Sequence, residues 1–353
     1  MSLSRPARFP LLKLPLLCIE GVVRSWDYFD IIFFALTSKK ARRVVKNLMI
    51  RLNGIQICLL KKKWITLGSM CKTWYFENCL KWCFDRNSRR HPLVLEKNTS
   101  PLYTSKTDYD LESYFEGNEF IAPKMAMEFL TDVFKCSTEK VKIYGDNFPE
   151  SGDIGFKSTV NLDISQNSLQ PFGYAQSQKL NLLLETLEVT GTCHFCMNLP
   201  FGFSSTEKGF YVDPKLFKCK TLVFESSSGA WITREILLQL EVPRLSFYHC
   251  PFSVEDILSF VTNWFHSDNK KLEYLYISIQ SNQISLEKFQ TKELNPVPFS
   301  ERTRVPSSEY FRGIDFSKGL EIVRHDGLIA TIHVTKRVFL FYIWHDQSAI
   351  TQN

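Results

Sequence analysis

The chain has 353 residues, 44% hydrophobic and 14% aromatic, which is ample for a large core and makes disorder the wrong default. Lys and Arg number 43 against 37 Asp and Glu, and the resulting +6 is too small to be a nucleic-acid footprint for the whole molecule. The longest candidate for membrane insertion, residues 31–36, is far shorter than the ~20 residues a membrane-spanning helix needs. From Lys39 to Lys63 the chain is rich in Lys and Arg and holds no acid, a run that reads as a solvated face, with RNA binding as its rival. The ten cysteines, among them Cys18, Cys58, Cys219 and Cys250, lie scattered among apolar neighbours and read as reduced core thiols rather than a disulfide framework. Residues 8–15 imitate a signal peptide, but Lys13 and two prolines interrupt the apolar run and Glu20 follows, so the expected location is the cytoplasm or nucleus.

Three short helices are expected between Leu14 and Met49. Pro15 stands where a helix can begin, and Ile19, Val22, Val23 and Trp26 follow at spacings that gather them on one face. Asp27 can cap a second helix over residues 30–36, apolar nearly all round at Ile31, Ile32, Phe33, Phe34 and Leu36. Thr37 or Ser38 can cap a third that turns Val44, Val45 and Leu48 inward and Lys39, Lys40, Arg42 and Arg43 outward. Helices this small bury little by themselves, so the unit completes its core either against a partner or against the rest of its own chain.

These residues, Leu14-Pro15, Ile19, Val22, Val23, Asp30-Ile31-Ile32, Leu36, Ser38-Lys39 and Val44, resemble the F-box pattern, and Phe9-Pro10-Leu11-Leu12 resembles its nematode version. Trp26 departs from the pattern, which usually has a smaller aliphatic residue there. The resemblance implies that Leu14, Pro15, Ile19, Val22, Ile31, Ile32 and Leu36 bury against the Skp-family adaptor of an SCF ubiquitin ligase, with a cullin as scaffold.

Beyond Arg51 the pattern alternates. Ile55, Ile57, Leu59, Trp64 and Ile65 predict two or three strands, residues 87–103 read as a loop, a helix is expected over 124–136, and a strand at 141–144. A spacing of apolar-x-x-apolar-x-apolar then recurs at Leu184, Leu187, Val189; Cys219, Leu222, Phe224; Val242, Leu245, Phe247; and Leu272, Leu275, Ile277. Helical segments at 231–240 and 253–266 separate the later copies, and Ser253 with Asp256 forms a capping-box start. Strand then helix, unevenly repeated, predicts a short irregular leucine-rich-repeat-like solenoid. Its open face would carry Glu188, Thr190, Val223, Glu225, Ser246, Tyr248, Tyr276 and Ser278, the target-binding candidates.

Residues 321–332 read as a hairpin turning at Asp326-Gly327, with a further strand at Val338, Leu340, Tyr342 and Trp344. With the 260–264 helix and the 272–275 strand, this end resembles the F-box-associated (type 2) domain of nematode F-box proteins.

Signatures of phosphate-binding loops, dinucleotide folds, zinc proteases and serine hydrolases are missing. Cys79 with Cys83, and Cys193 with Cys196 around His194, have spacings that zinc sites use, but their apolar settings read as core thiols. The fold expected is α/β: a small three-helix F-box over 9–49, a strand-rich connection over 50–123, and an irregular leucine-rich-repeat-like α/β domain over 124–348 ending in a β-hairpin and meander. The function expected is a non-enzymatic adaptor with no cofactor and no metal, joining a Skp-family subunit to a target protein, or else an interaction module acting outside ubiquitination.

Overall fold

The computed structural model describes residues 11–68, 72–78, 91–93, 102–106, 110–145, 147–150, 152, 154–166, 173–197, 210–278, 284–299, 311 and 314–345. Phe9 and Pro10 of the nematode signature and the Cys79–Cys83 pair lie outside these residues. Contacts divide the chain into two compact units, Met1–Val141 with Asp153–Lys157, and Lys142–Gly152 with Ser158–Asn353.

In the first unit a single 3-10 turn at Leu11–Lys13 leads into α1 (Leu16–Arg24), α2 (Tyr28–Thr37) and α3 (Lys39–Asn47). Pro15 stands just before α1, where its carbonyl takes the first amides, those of Cys18 and Ile19. Asp27 accepts the Asp30 amide and caps α2, and Ser38 accepts the Ala41 amide and caps α3. One expectation needs correction: Val22 does not share the inner face of α1. Ile19 and Val23 point inward, Val22 is 36% exposed, and Trp26 is half-buried beside Phe34. The helix stops at Arg24, so Trp26 lies beyond it and a helical spacing of seven does not apply.

Antiparallel β1 (Arg51–Leu59), β2 (Lys63–Leu67) and β3 (Lys72–Asn78) follow, with Ile57 opposite Ile65 and Ile65 opposite Trp74. The segment expected to be a loop contributes β4 (His91–Leu93) and the start of β5 (Leu102–Lys106), which pair antiparallel. The proline in β4 hid it, but β4 ends the row of strands, where a missing amide is tolerated. Strand β6 (Asp110–Phe115) lies between β5 and β3 and runs parallel to β3. Inside this sheet the Trp74 indole donates to Ser113 at 2.9 Å, and Ser113 shares a 2.7 Å bond with Thr104, so three buried polar groups satisfy one another.

Helix α4 covers Ile121–Val133, three residues earlier than expected, because Pro123 sits in its first turn rather than blocking its start. Met127, Leu130, Val133 and Phe134 are buried, as their spacing required. Strand β7 (Lys135–Tyr144) begins at once, with the Lys135 amide on the Ile50 carbonyl. Helix α4 was expected in the carboxyl-terminal domain from residue 124, yet it falls in the first unit. Its Asp132 holds Arg42 at 2.9 Å and also Lys46, both from α3, and the Arg42 guanidinium stacks over Phe129.

The second unit is built on parallel strands β8 (Ser158–Ser165), β9 (Glu188–Cys196), β10 (Thr221–Glu225), β11 (Arg244–Phe247) and β12 (Tyr274–Ser278), adjacent in that order. Helices α5 (Tyr174–Thr186), α6 (Arg234–Gln239) and α7 (Val254–His266) fall between successive strands. Helix α7 opens on the expected Ser253–Asp256 capping box; α6 is shorter than expected, starting after a Thr233 cap. Leu222, Leu245 and Leu275 stand in register with Cys193, and Phe224, Phe247 and Ile277 with Phe195, all buried. Phe195, Phe224 and Phe247 stack at 5.0 and 5.3 Å between centroids, a ladder of rings along the core.

The first copy of the repeat was therefore placed six residues too early. Cys193 and Phe195, not Leu187 and Val189, match the later copies. Strand β9 is longer than β10 to β12, and two residues of β8 span three of β9 between Thr159–Val189 and Asn161–Thr192. Beyond β12 the sheet turns antiparallel through β13 (Val297–Pro298), β14 (Leu320–Val323), β15 (Ile329–Val334) and β16 (Val338–Trp344), with β16 beside β12. Gly327, with φ at +83°, makes the β14–β15 turn that its sequence announced.

Candidate functional site

Two surfaces collect the residues singled out from sequence, one in each unit. The first is the outside of the helical module. Ile19, Ile31 and Ile32 are 4%, 2% and 0% exposed, so they belong to the module's own core. Leu14 and Leu36 are half-buried, while Pro15 and Val22 are exposed. Beside them lie two residues the sequence reading passed over, Leu16 and Leu17, exposed at 52% and 80%. Nothing in the sequence distinguishes them from Ile19; only the rotation of α1 does.

The basic run over 39–63 is not a uniform solvated face. Arg42 and Lys46 are spent on Asp132, Lys62 approaches Glu77, and Lys63 is buried, 2.8 Å from Glu119 and over the Phe120 ring. Lys106 binds both Asp27 and Asp30 at the start of α2, and Lys72 also reaches Asp27. Burial alone would push the Asp27 carboxyl up, but the Asp30 amide and these two ammonium groups hold it down to about 2.

The second surface is the outward face of the parallel strands. Because side chains alternate, the positions between the buried pairs form rows across the sheet. One row runs Asp163, His194, Val223, Ser246, Tyr276, and the next carries Ser165, Cys196 and Glu225. Val223, Glu225, Ser246 and Tyr276 thus fall on the face they were assigned to, with Tyr248 and Ser278 at its far margin, although Ser246 is only 6% exposed. Glu188 and Thr190 are exposed but lie upstream of Thr192, where β10 first pairs with β9, and so fall outside these rows.

Asp163 and His194 were missed as members of this face because nothing local marks them; they meet only through strand register. The His194 ring sits between two carboxylates, Nδ1 at 3.6 Å from Asp163 and Nε2 at 3.3 Å from Glu225. Its pKa is raised, first by the hydrogen bond to Asp163 and then by the charge of Glu225, against partial burial. At the other end, Tyr276 leans between Tyr248, at 5.2 Å, and Phe311, at 6.3 Å. Tyr274 of β12 and Leu340, Tyr342 and Trp344 of β16 form one buried cluster with Phe311 and Phe316.

The zinc spacing at Cys193 and Cys196 dissolves in the strand geometry. Cys193 faces the core beside Cys219, while Cys196 and His194 face outward, so the two thiols lie on opposite sides of β9. Among the described residues no group of three His, Cys, Asp or Glu side chains is placed to hold a metal ion. A hollow of about 320 Å³ is lined by Ile314, Asp315, Lys318, His333, Thr335 and Val338, and one of about 430 Å³ by residues including Arg24, Trp26, Tyr28 and Ile50. Neither lining contains a serine or cysteine set against a general base; Asp315 accepts the Ser317 amide and Asp27 is tied to lysines. No helix among the described residues is long and apolar enough to cross a membrane.

Residues 215–277 match the family described as F-box associated. They span β10, α6, β11 and α7 and reach into β12, the regular part of the strand–helix stack. Over 334 residues the chain is 22% identical to a Caenorhabditis elegans protein described as uncharacterized, covering 92% of this chain and 74% of the relative. No solved structure matches. The nematode resemblance read from the carboxyl-terminal half is thereby shown, and the chain carries an F-box-associated domain of the nematode type.

Proposed function

We propose that the chain is a substrate-recognition adaptor of an SCF-type ubiquitin ligase, acting in the cytoplasm or nucleus. The α1–α3 module is its F-box and docks a Skp-family subunit held by a cullin. The leucine-rich-repeat-like stack of the second unit holds a target protein. The adaptor supplies proximity and no chemistry, since a conjugating enzyme recruited elsewhere transfers ubiquitin. F-box-associated domains are protein-interaction domains, which fits a chain with no assembled catalytic group among its described residues.

The observation that carries this reading is the apolar exterior of α1. Leu17 at 80% exposure and Leu16 at 52% stand on a helix that spends Ile19 and Val23 on its own core. Burying such a side chain is worth about 1.5–3 kcal/mol, so a surface joining them to Leu14, Pro15, Val22 and Leu36 is a credible anchor. Ile19, Ile31 and Ile32 support that surface from inside.

Co-purification of the full chain with a Skp-family adaptor tests the proposal. Wild type is expected to bind, and Leu17→Asp, which alters an exposed residue and leaves the fold intact, is expected to weaken binding at least tenfold. A folded wild-type chain that does not bind, or a Leu17→Asp variant that binds equally well, overturns it.

A further inference from the structure

We infer that the open face of the parallel strands takes an extended segment of the target protein, with a lysine or arginine over Asp163, His194 and Glu225 and a bulky apolar side chain against Tyr248 and Tyr276. The inference rests on the target-holding role proposed for this unit and names the chemistry of what is held.

Charge argues for the basic residue. Two carboxylates flank a single imidazole, so the trio is negative whether or not His194 carries a proton. Glu225 is 48% exposed, and the Asp163 and His194 side chains are 18% and 26% exposed, so the group is reachable from solvent without being a loose surface cluster. By register the nearest cation is Lys142 of β7, beside Asp163, while Arg244, two strands from His194, is engaged by Glu273 at 2.6 Å. The His194 ring fills the gap between Asp163 and Glu225, so a cationic side chain lying over that ring would face the carboxylates from the open side, where charge-assisted hydrogen bonds are strong.

The tyrosines argue for the apolar residue. Tyr276 is braced by Phe311 on one side and Tyr248 on the other, so the pair presents a rigid amphipathic shelf whose ordering is already complete. Beyond it the face is closed, because Phe311 and Phe316 cover the antiparallel strands. The open part therefore runs from an acidic end on β8 to β10 to an aromatic end on β11 and β12.

Spacing fixes the occupant further. His194 and Tyr276 share a row and are separated by three strand spacings, about 14 Å at ~4.8 Å per strand. An extended chain advances about 3.3 Å per residue, so the two anchors lie about four residues apart, an even number that turns both toward the sheet.

The test is selection of random twelve-residue peptides on the purified full chain, followed by binding of the selected peptides to variants. The expected consensus is Lys or Arg four positions from Leu, Phe, Tyr or Trp. Binding of such a peptide is expected to fall at least tenfold in the Asp163→Asn, Glu225→Gln double variant and in Tyr248→Ala, with thermal unfolding unchanged. An acidic or phosphate-dependent consensus, displacement of the peptides by RNA, a library that yields no binder, or a double variant that is folded and binds equally well overturns the inference. Skp-family binding by the same double variant is expected to be unchanged, which separates failure of this inference from failure of the adaptor role.

Discussion

Arg324 is among the largest fully buried side chains of the protein, 1% exposed, at the head of the β14–β15 hairpin. Its guanidinium donates to both carboxylate oxygens of Asp326, at 2.9 and 2.8 Å, and to the Asn269 carbonyl at 2.8 Å, while its plane lies 4.8 Å from the Trp264 ring. The Arg324 charge holds the Asp326 carboxyl below its ordinary range despite some burial. Removing one partner of a buried pair leaves the other uncompensated, so Asp326→Ala should cost about 3 kcal/mol, read as a lower denaturant midpoint at unchanged slope. Arg324→Met, which removes the charge itself, should cost less, and a larger loss in Arg324→Met than in Asp326→Ala would contradict this account. Sequence reading found Asp326 as a turn residue and missed Arg324, because a buried charge is invisible until its partners arrive from α7 and the loop before β12. The same limit hid Asp163 and His194, whereas Asp27, Ser38 and Ser253 were legible because a cap speaks only to the next three residues.

Elements were legible where their periodicity was local and unbroken. Helix α7, the β14–β15 hairpin and the β1–β3 meander stand where their patterns put them; α4 was displaced by a proline that its first turn accepts, and β9 by an irregularity that a one-strand view cannot contain. At α2 the cap is also an electrostatic joint. Asp27→Ala should cost about 1 kcal/mol or more for the lost cap, and Asp27→Asn, which keeps an oxygen for the Asp30 amide, should cost less. Because the Asp27 carboxyl is lowered in the fold, its contribution is fully present above the ordinary carboxylate range near 3.8 and is lost as pH falls toward about 2. Acid titration of the first unit, followed by circular dichroism, should show wild type and Asp27→Asn converging below that window and diverging above it; a constant difference across the range would contradict the coupling to Lys72 and Lys106.

At the scale of the whole molecule the two ends of the chain do different things with apolar residues. The amino-terminal helices leave leucines outside, and the carboxyl-terminal stack buries the apolar residues of its repeat and turns outward a face that runs from acid on β8 to β10 to tyrosine on β12. Composition indicated that much core was available, but where one unit ends was not legible, since β7 begins in one and ends in the other without any break in its sequence pattern. The adaptor we propose would hold two partners through unconnected chemistry. The measurement that tests this most directly titrates the purified chain with a Skp-family adaptor and a selected basic peptide, separately and together. The account predicts that both bind at once, that Leu17→Asp loses only the adaptor, and that the Asp163→Asn, Glu225→Gln variant loses only the peptide. Mutual exclusion of the two ligands, or a wild-type chain that binds the peptide and not the adaptor, would contradict it.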